Sequence, residues 1–460
     1  MRFSARAAAA VLLILSLSAT AWSADWPQWL GPHRDGLTEE TGLLKEWPEG
    51  GPKRVWLFED CGYGYAGFSI VDGVLYTMGG RPTAADAAAS EDESKEEQPG
   101  EAGAGEASEA SADEAKDEEA PKVDKRCQLI ALDANTGKEL WHVDLGPMLE
   151  NDWGGGPRST PTVDHGRVYA LGGKGTLVCV DAKDGSEIWR TNLVGDLHGT
   201  EPNWGYCESV LIDGGKLLCT PGGSDGAIAA LDKATGKVLW RATELDDTAH
   251  YSSILRAEIN GQPQYVQLME KRVVGISPDD GRLLWQSEFP GRVAVIPTPI
   301  IVGNKVFVTA GYGAGCSLVE VGANNEPTEL YDEKARKLMK NHHGGVVRVG
   351  DYLYGHSDGA GWVCMDFNTG KRQWRERDIL SKGAIAYADG MLYCLAEDDG
   401  QVALVDASPD GWQEHGRFTL DPQTTIRSDR GKIWTHPVIA NGKLYLRDQD
   451  KVYCYDIKAK

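Results

Sequence analysis

Basic residues are scarce in this chain, 47 Lys and Arg against 69 Asp and Glu, for a net charge of −22 over 460 residues. No dense Lys/Arg cluster interrupts that balance, so nucleic acid is not an expected partner, nor is an anionic membrane surface. No apolar run beyond the first two dozen residues is long enough to span a bilayer. The nine cysteines include no adjacent pair and no Cys-x-x-Cys spacing, which excludes a vicinal disulfide, a dithiol redox motif and a haem-attachment site. No phosphate-cradling loop is present either. The stretch Gly154 to Gly156 precedes a strand pattern rather than a helix, so it makes a poor anion nest.

What the chain has instead is a repeat. Five times a Trp follows a turn built on Asp and Gly: 132–141, 181–189, 232–240, 279–285 and 366–374. The successive tryptophans are 48, 51, 45 and 89 residues apart. The last interval is close to two periods and calls for a degenerate copy between them. A period of roughly 40–50 residues with strand and turn chemistry is the signature of propeller blades. The expected fold is therefore all-β: an eight-bladed β-propeller of four-stranded antiparallel blades.

The bookkeeping places blades at 68–144, 159–193, 208–245, 252–289, 297–334, 344–377, 384–420 and 435–456. Blade five is the degenerate copy, with Tyr331 near the Trp position. Blade eight lacks its fourth strand, and 53–58, which contains Trp56, is assigned to complete it and close the ring. The repeat Gly supplies the turn, the Asp caps it, and the Trp docks between neighbouring blades with its N–H paired. Cys179, Cys364 and Cys454 occupy a slot filled by Ala131, Ala230 and Gly275 in other copies, so they read as buried core thiols.

Three segments fall outside the repeat. Residues 1–23, with Arg2 and Arg6 before an apolar run ending in small residues, read as a secretory signal peptide. Export to the periplasm or the exterior follows, with no membrane insertion after cleavage. Residues 24–52 form an N-terminal arm. Residues 81–122 form an insert in blade one; 81–120 alone carry 14 acidic and 3 basic residues, too polar to bury a core, and read as disordered.

The repeat residues belong to the scaffold, so function must lie in the connections between blades. These emerge on one face and converge on the axis. They carry Tyr63, Tyr65, Trp153, Arg158, Trp204, Tyr206, His250, Tyr251, Arg292, His342, His343, Lys382, Trp434 and His436. Rings beside fixed cations suit a planar anionic or polyhydroxylated ligand. If 342–343 is extended, the two adjacent histidines point to opposite faces and only one meets the channel. No spacing among the histidines demands a metal.

The unit 231–240, Leu-Asp-Lys-Ala-Thr-Gly-Lys-Val-Leu-Trp, resembles the pyrroloquinoline-quinone (PQQ) repeat, and the resemblance extends over about 53–457. Segments 25–32 and 341–345 also look like parts of exported bacterial PQQ-like propellers of the BamB-like kind. Similar quinoprotein alcohol dehydrogenases hold PQQ between a Trp and a disulfide of adjacent cysteines, with calcium on the quinone and an Asp base. That resemblance implies Trp153, Trp204 or Trp434 as a platform and Arg158, Arg292 or Lys382 as carboxylate partners. The missing adjacent cysteines remove one wall of such a pocket. The expected function is thus a monomeric, non-catalytic module binding a small molecule or a protein at the central mouth. The alternative is a PQQ- and calcium-dependent alcohol dehydrogenase.

Overall fold

Apolar strands punctuated by glycine turns leave each repeat with two greasy faces, which only flanking repeats can cover. In the computed structural model, which describes residues 25–82 and 124–459, the strands form eight antiparallel sheets packed side by side as an eight-bladed propeller. Blade one comprises Ser69–Val71, Val74–Pro82, Lys125–Asp133 and Glu139–Pro147. Blade eight joins the two ends of the chain. Lys53–Phe58 pairs antiparallel with Lys451–Asp456, placing Trp56 opposite Cys454. The only helical element among the described residues is the single turn Ala335–Lys337.

The repeat chemistry is visible atom by atom. Asp133 Oδ1 accepts the amides of Asn135 and Thr136 and the Thr136 hydroxyl at 2.8–3.0 Å, and Asp232 repeats the pattern. In the fourth copy the capping position is Ser277 rather than Asp279, because the Gly281 amide reaches Ser277 O. The indoles of Trp56, Trp189, Trp240 and Trp374 donate to carbonyls of the following blade at 2.8–3.2 Å. Trp56, Trp189 and Trp240 also lie against that blade's turn where a turn glycine leaves room; a Cβ on Gly236 would sit 2.7 Å from Trp189 Cε3. Trp141 packs in the same way against Gly185, but its N–H finds no partner, contrary to the expectation for the repeat.

Blade five docks Tyr331 instead, its hydroxyl donating to Phe367 O at 2.6 Å. Trp285 departs from the rule. Gly275 has no side chain, so the indole sinks over its own blade and donates to Gln264 Oε1 at 2.6 Å. All nine cysteines are free thiols, and Cys179, Cys364 and Cys454 are fully buried between large aromatic neighbours.

The arm makes a circuit that the repeat gives no hint of. Trp26 bridges Ile70 of blade one, and Pro27 O accepts the Val163 amide of blade two. Arg34 is buried and donates to Ser209 O and Val210 O beside blade three and to Ile254 O beside blade four. Trp29 donates to Thr298 Oγ1 of blade five, and Gly36 lies against Val347 of blade six. Leu37–Thr38 adds a parallel fifth strand to blade seven, and Glu40 takes the Gly442 amide of blade eight at 2.7 Å. Trp47 then packs against Tyr393 and Phe418, over Gly416 of blade seven's fourth strand.

The signal-peptide segment 1–23 lies outside the described residues, as do residues 83–122 of the acidic insert. Arg81 and Pro82, counted in the insert on composition, end the second strand of blade one. Arg81 is buried and paired with Glu139 at 2.9 Å, because the strand ladder extends past the point where composition turns acidic.

Candidate functional site

The connections into successive first strands descend toward the axis, and the arm crosses beneath them. Together they enclose a blind cavity of about 260 Å³ at one mouth of the propeller. Ten residues expected at the mouth line it: Tyr65, Trp153, Arg158, Trp204 and Tyr251 on one side, and His342, His343, Lys382, Trp434 and His436 on the other. The floor is Trp29, whose ring meets His436 edge-on at 4.7 Å.

Four expected residues lie elsewhere. Tyr63 pairs through its backbone with Gly80, and its ring faces Lys125 at 4.2 Å in a neighbouring recess. Gly205 turns the chain with φ +68°, sending Tyr206 into the core, where its hydroxyl donates to Pro221 O at 2.9 Å. His250 sits behind Tyr251, and Arg292 is exposed on a turn with φ +61°.

The aromatic groups are interlocked. His343 stacks on Trp434 at 4.5 Å and 26°, and Tyr65 packs on Trp434 at 4.8 Å. His342 and His343 are 3.7 Å apart, ring to ring. Both meet the cavity because the chain bends at His343–Gly344 instead of running extended as the side-to-side alternation assumed. Tyr312, on the loop between the second and third strands of blade five, covers His342 edge-on at 4.4 Å.

Charge at the mouth is largely matched. Lys382 Nζ is 2.9 Å from Asp358 and 2.7 Å from His342 Nδ1. Lys432 pairs with Asp398 at 2.8 Å, and Arg430 lies 3.7 Å from Asp152 while its guanidinium covers Trp153. Arg158 stacks on Tyr65 and donates to the carbonyls of Gly154 and Gly156.

Burial dominates the titration of this wall. It pushes His342 and His436 down to about 4, with the Lys382 ammonium adding to the effect on His342. His343 is lowered as well, first by burial and then by His342. Burial raises Glu397 to about 7 against the opposing pull of Lys382, and the Cys207 thiol to about 12. Near neutral pH the mouth therefore presents three uncharged imidazoles.

Trp29, Tyr312, Glu397 and Arg430 are lining residues that the sequence reading did not single out. Tyr312 and Glu397 follow second strands, whose loops share the face of the mouth, so the topology already carried their signal. Trp29 carried none. Two Gly-x-Ser-x-Gly strings occur, 222–226 on such a loop and 355–359 running from the end of the second strand of blade six into its loop, neither on a strand-to-helix turn. The Ser357 hydroxyl is held between Leu338 O and the Lys340 amide at 2.8 and 3.0 Å. Among the described residues no group of three His, Cys, Asp or Glu side chains is placed to hold a metal ion.

Comparison with known proteins gives a consistent pattern. A family model described as outer membrane protein assembly factor BamB matches residues 125–376 and 337–459. The outer membrane protein assembly factor BamB of Yersinia pestis is 24% identical over 346 residues, covering 70% of this chain and 78% of that protein. The dehydrogenase subunit of a quinone alcohol dehydrogenase from Gluconacetobacter polyoxogenes is 32% identical over 124 residues, only 24% of this chain and 16% of that enzyme. The crystal structure of BamB from Moraxella catarrhalis superposes with TM-score 0.51 at 15% identity, covering 71% of this chain and 91% of that one. A quinohemoprotein alcohol dehydrogenase from Comamonas testosteroni gives 0.59 at 11% identity, covering 95% of this chain and 81% of that one. At such identities these structures establish the fold alone.

Proposed function

Because this chain belongs to the family described as outer membrane protein assembly factor BamB, we propose that it is a non-catalytic binding module. Its axial mouth receives a small ligand or a protruding segment of a protein partner, and it acts as an exported monomer in the periplasm or outside the cell. The relatives named as assembly factors support this reading over most of their length, whereas the quinone enzyme matches by sequence over a short stretch.

The observation that carries the proposal is how the polar groups of the cavity are used. Lys382 is tied to Asp358, Arg158 to backbone carbonyls, and Cys207 is a half-buried thiol that desolvation holds far above its reactive range. Nothing there pairs a nucleophile with a base oriented by a third group. The aromatic lining, by contrast, is what recognition requires.

A calcium-held quinone does not fit this site. Cys207 is the one cysteine at the mouth, so no disulfide wall can form. Trp434, a platform implied by the quinoprotein resemblance, already has His343 stacked on it and Tyr65 against it. Glu397 is the single carboxylate lining the cavity, and burial favours its neutral form, a poor calcium ligand.

Two experiments test the proposal. A photo-crosslinking residue in place of the half-exposed Tyr312 should form discrete adducts in the native compartment, and Trp204→Ala should suppress them. Addition of PQQ and calcium to the purified chain with a panel of alcohols should give no substrate-dependent dye reduction. Turnover in that assay would restore the dehydrogenase reading.

A further inference from the structure

The cavity wall contains buried ring nitrogens without partners, and their hydrogen positions can be worked out. Lys382 Nζ can only donate, so His342 Nδ1 accepts from it at 2.7 Å and the proton of that neutral ring resides on Nε2. His343 O can only accept, so His436 Nε2 donates to it at 2.8 Å and Nδ1 keeps its lone pair. His342 Nε2 and His436 Nδ1 have no hydrogen-bond partner, and both side chains are more than nine-tenths buried. One is a donor and the other an acceptor. The Trp434 indole N–H, a donor, is also unpaired.

Resting on the binding role proposed above, we infer that the mouth takes a neutral saccharide, the end of a glycan chain. A hydroxyl is both donor and acceptor, so neighbouring sugar hydroxyls can satisfy a mixed set of this kind. A carboxylate or sulfate group offers acceptors only and leaves His436 Nδ1 unpaired. Most of the cations at the mouth already face carboxylates, Lys382, Lys432 and Arg430 being opposite Asp358, Asp398 and Asp152; Arg158 alone has no carboxylate partner, and it is held by carbonyls and the Tyr65 ring.

The aromatic content fits the same ligand. The C–H face of a pyranose is apolar with a slight positive charge, and it packs on the electron-rich faces of Trp and Tyr. Trp153 and Tyr312 are each 42% exposed at the rim, and Trp204 and Tyr251 lie deeper. Size narrows the choice further. A cavity of about 260 Å³ falls just below the usual range of ligand pockets, about 300–1,000 Å³, so it has room for only the end of a chain. Trp29 of the arm lines the cavity, fixed by its hydrogen bond to Thr298 and its edge contact with His436.

The test is titration of the purified full chain, followed by tryptophan fluorescence and calorimetry. The neutral probes are maltotriose, cellotriose, xylotriose and chitotriose, backed by a broad array of neutral glycans. Inorganic phosphate and oligogalacturonate are the anionic counterparts. Saturable binding of a neutral glycan that is insensitive to salt is expected. Trp204→Ala and His342→Ala should each weaken it about tenfold, the loss of one stacking or hydrogen-bonding contact, in protein whose circular dichroism shows the native fold retained. His342→Gln, which keeps a donor, should recover part of the affinity and guards against a merely structural effect.

Binding confined to the anions, binding unaffected by the mouth variants, or no glycan binding by the folded protein would each overturn the inference. Crosslinks at position 312 that persist without any glycan binding would leave the proposed function standing and remove only the saccharide. Absence of both would remove both.

Discussion

The turn glycines of the repeat carry two constraints at once, and a pair of substitutions separates them. Gly236 has φ +73°, and a Cβ there would lie 2.7 Å from Trp189 Cε3 and 2.9 Å from Cδ2. Gly261 has nearly the same dihedral, +74°, at a hairpin tip where a Cβ meets nothing within 4 Å. Gly261→Ala therefore reports only the strain of a left-handed alanine, about 1–2 kcal/mol. Gly236→Ala adds displacement of a docked indole whose N–H holds Lys233 O at 3.0 Å, an overpacking penalty of about 1–3 kcal/mol. Urea unfolding followed by tryptophan fluorescence and circular dichroism gives both losses on one scale. The double variant Trp189→Leu/Gly236→Ala should show positive coupling, because the smaller side chain removes the clash. If Gly236→Ala loses no more stability than Gly261→Ala, the claim that these glycines serve the neighbouring tryptophan is wrong.

Other expectations follow from the buried polar groups. Arg34→Met removes a guanidinium that satisfies three carbonyls and faces the buried Glu208; a loss of about 3–5 kcal/mol is expected in thermal or chemical unfolding. His342 and His436 have pKa values depressed to about 4, so their stabilising share is complete above the unfolded value near 6.5. That share is lost as pH falls from about 6.5 through 4, and His436→Gln should flatten this limb of a stability–pH curve. Glu397, raised to about 7, acts in the opposite direction: its share is complete below the unfolded value near 4.3 and lost as pH rises through 7. Glu397→Gln should accordingly flatten the curve between those values. Nine free thiols, eight of them buried, predict negligible reaction with a thiol reagent in the native state and nine equivalents after denaturation without reductant; fewer equivalents would reveal a disulfide.

The fold was legible because the repeat is local. The Trp spacing alone located blade five, and Tyr331 there does the work of the missing indole, reaching Phe367 O. Trp56 in the closing strand was legible for the same reason, since every other strand already had a place. The mouth was partly legible. Reading the connections between blades found residues on both walls, but parity within a connection depends on turns such as that at Gly205, which sent Tyr206 to the core. The bend that keeps His342 and His343 on one side is likewise a backbone event with no marker in the residue types. The arm was delimited and its segment 25–32 noticed, but nothing local gave its course, because its partners are hundreds of residues away and follow no period.

The arm has a consequence for how the molecule comes apart. A ring of blades held only by neighbours is a one-dimensional chain bent round on itself, in which one weak link lets a section loosen while the rest stands. A strand of residues from Trp26 to Glu40 that touches all eight blades gives every blade a shared partner. The ring becomes a wheel with a hub. A blade cannot detach without disturbing the hub, and a disturbed hub loosens every spoke, so unfolding should be far more cooperative than the repeat architecture alone allows. The same hub sets the depth of the mouth, so ring integrity and cavity shape rise and fall together.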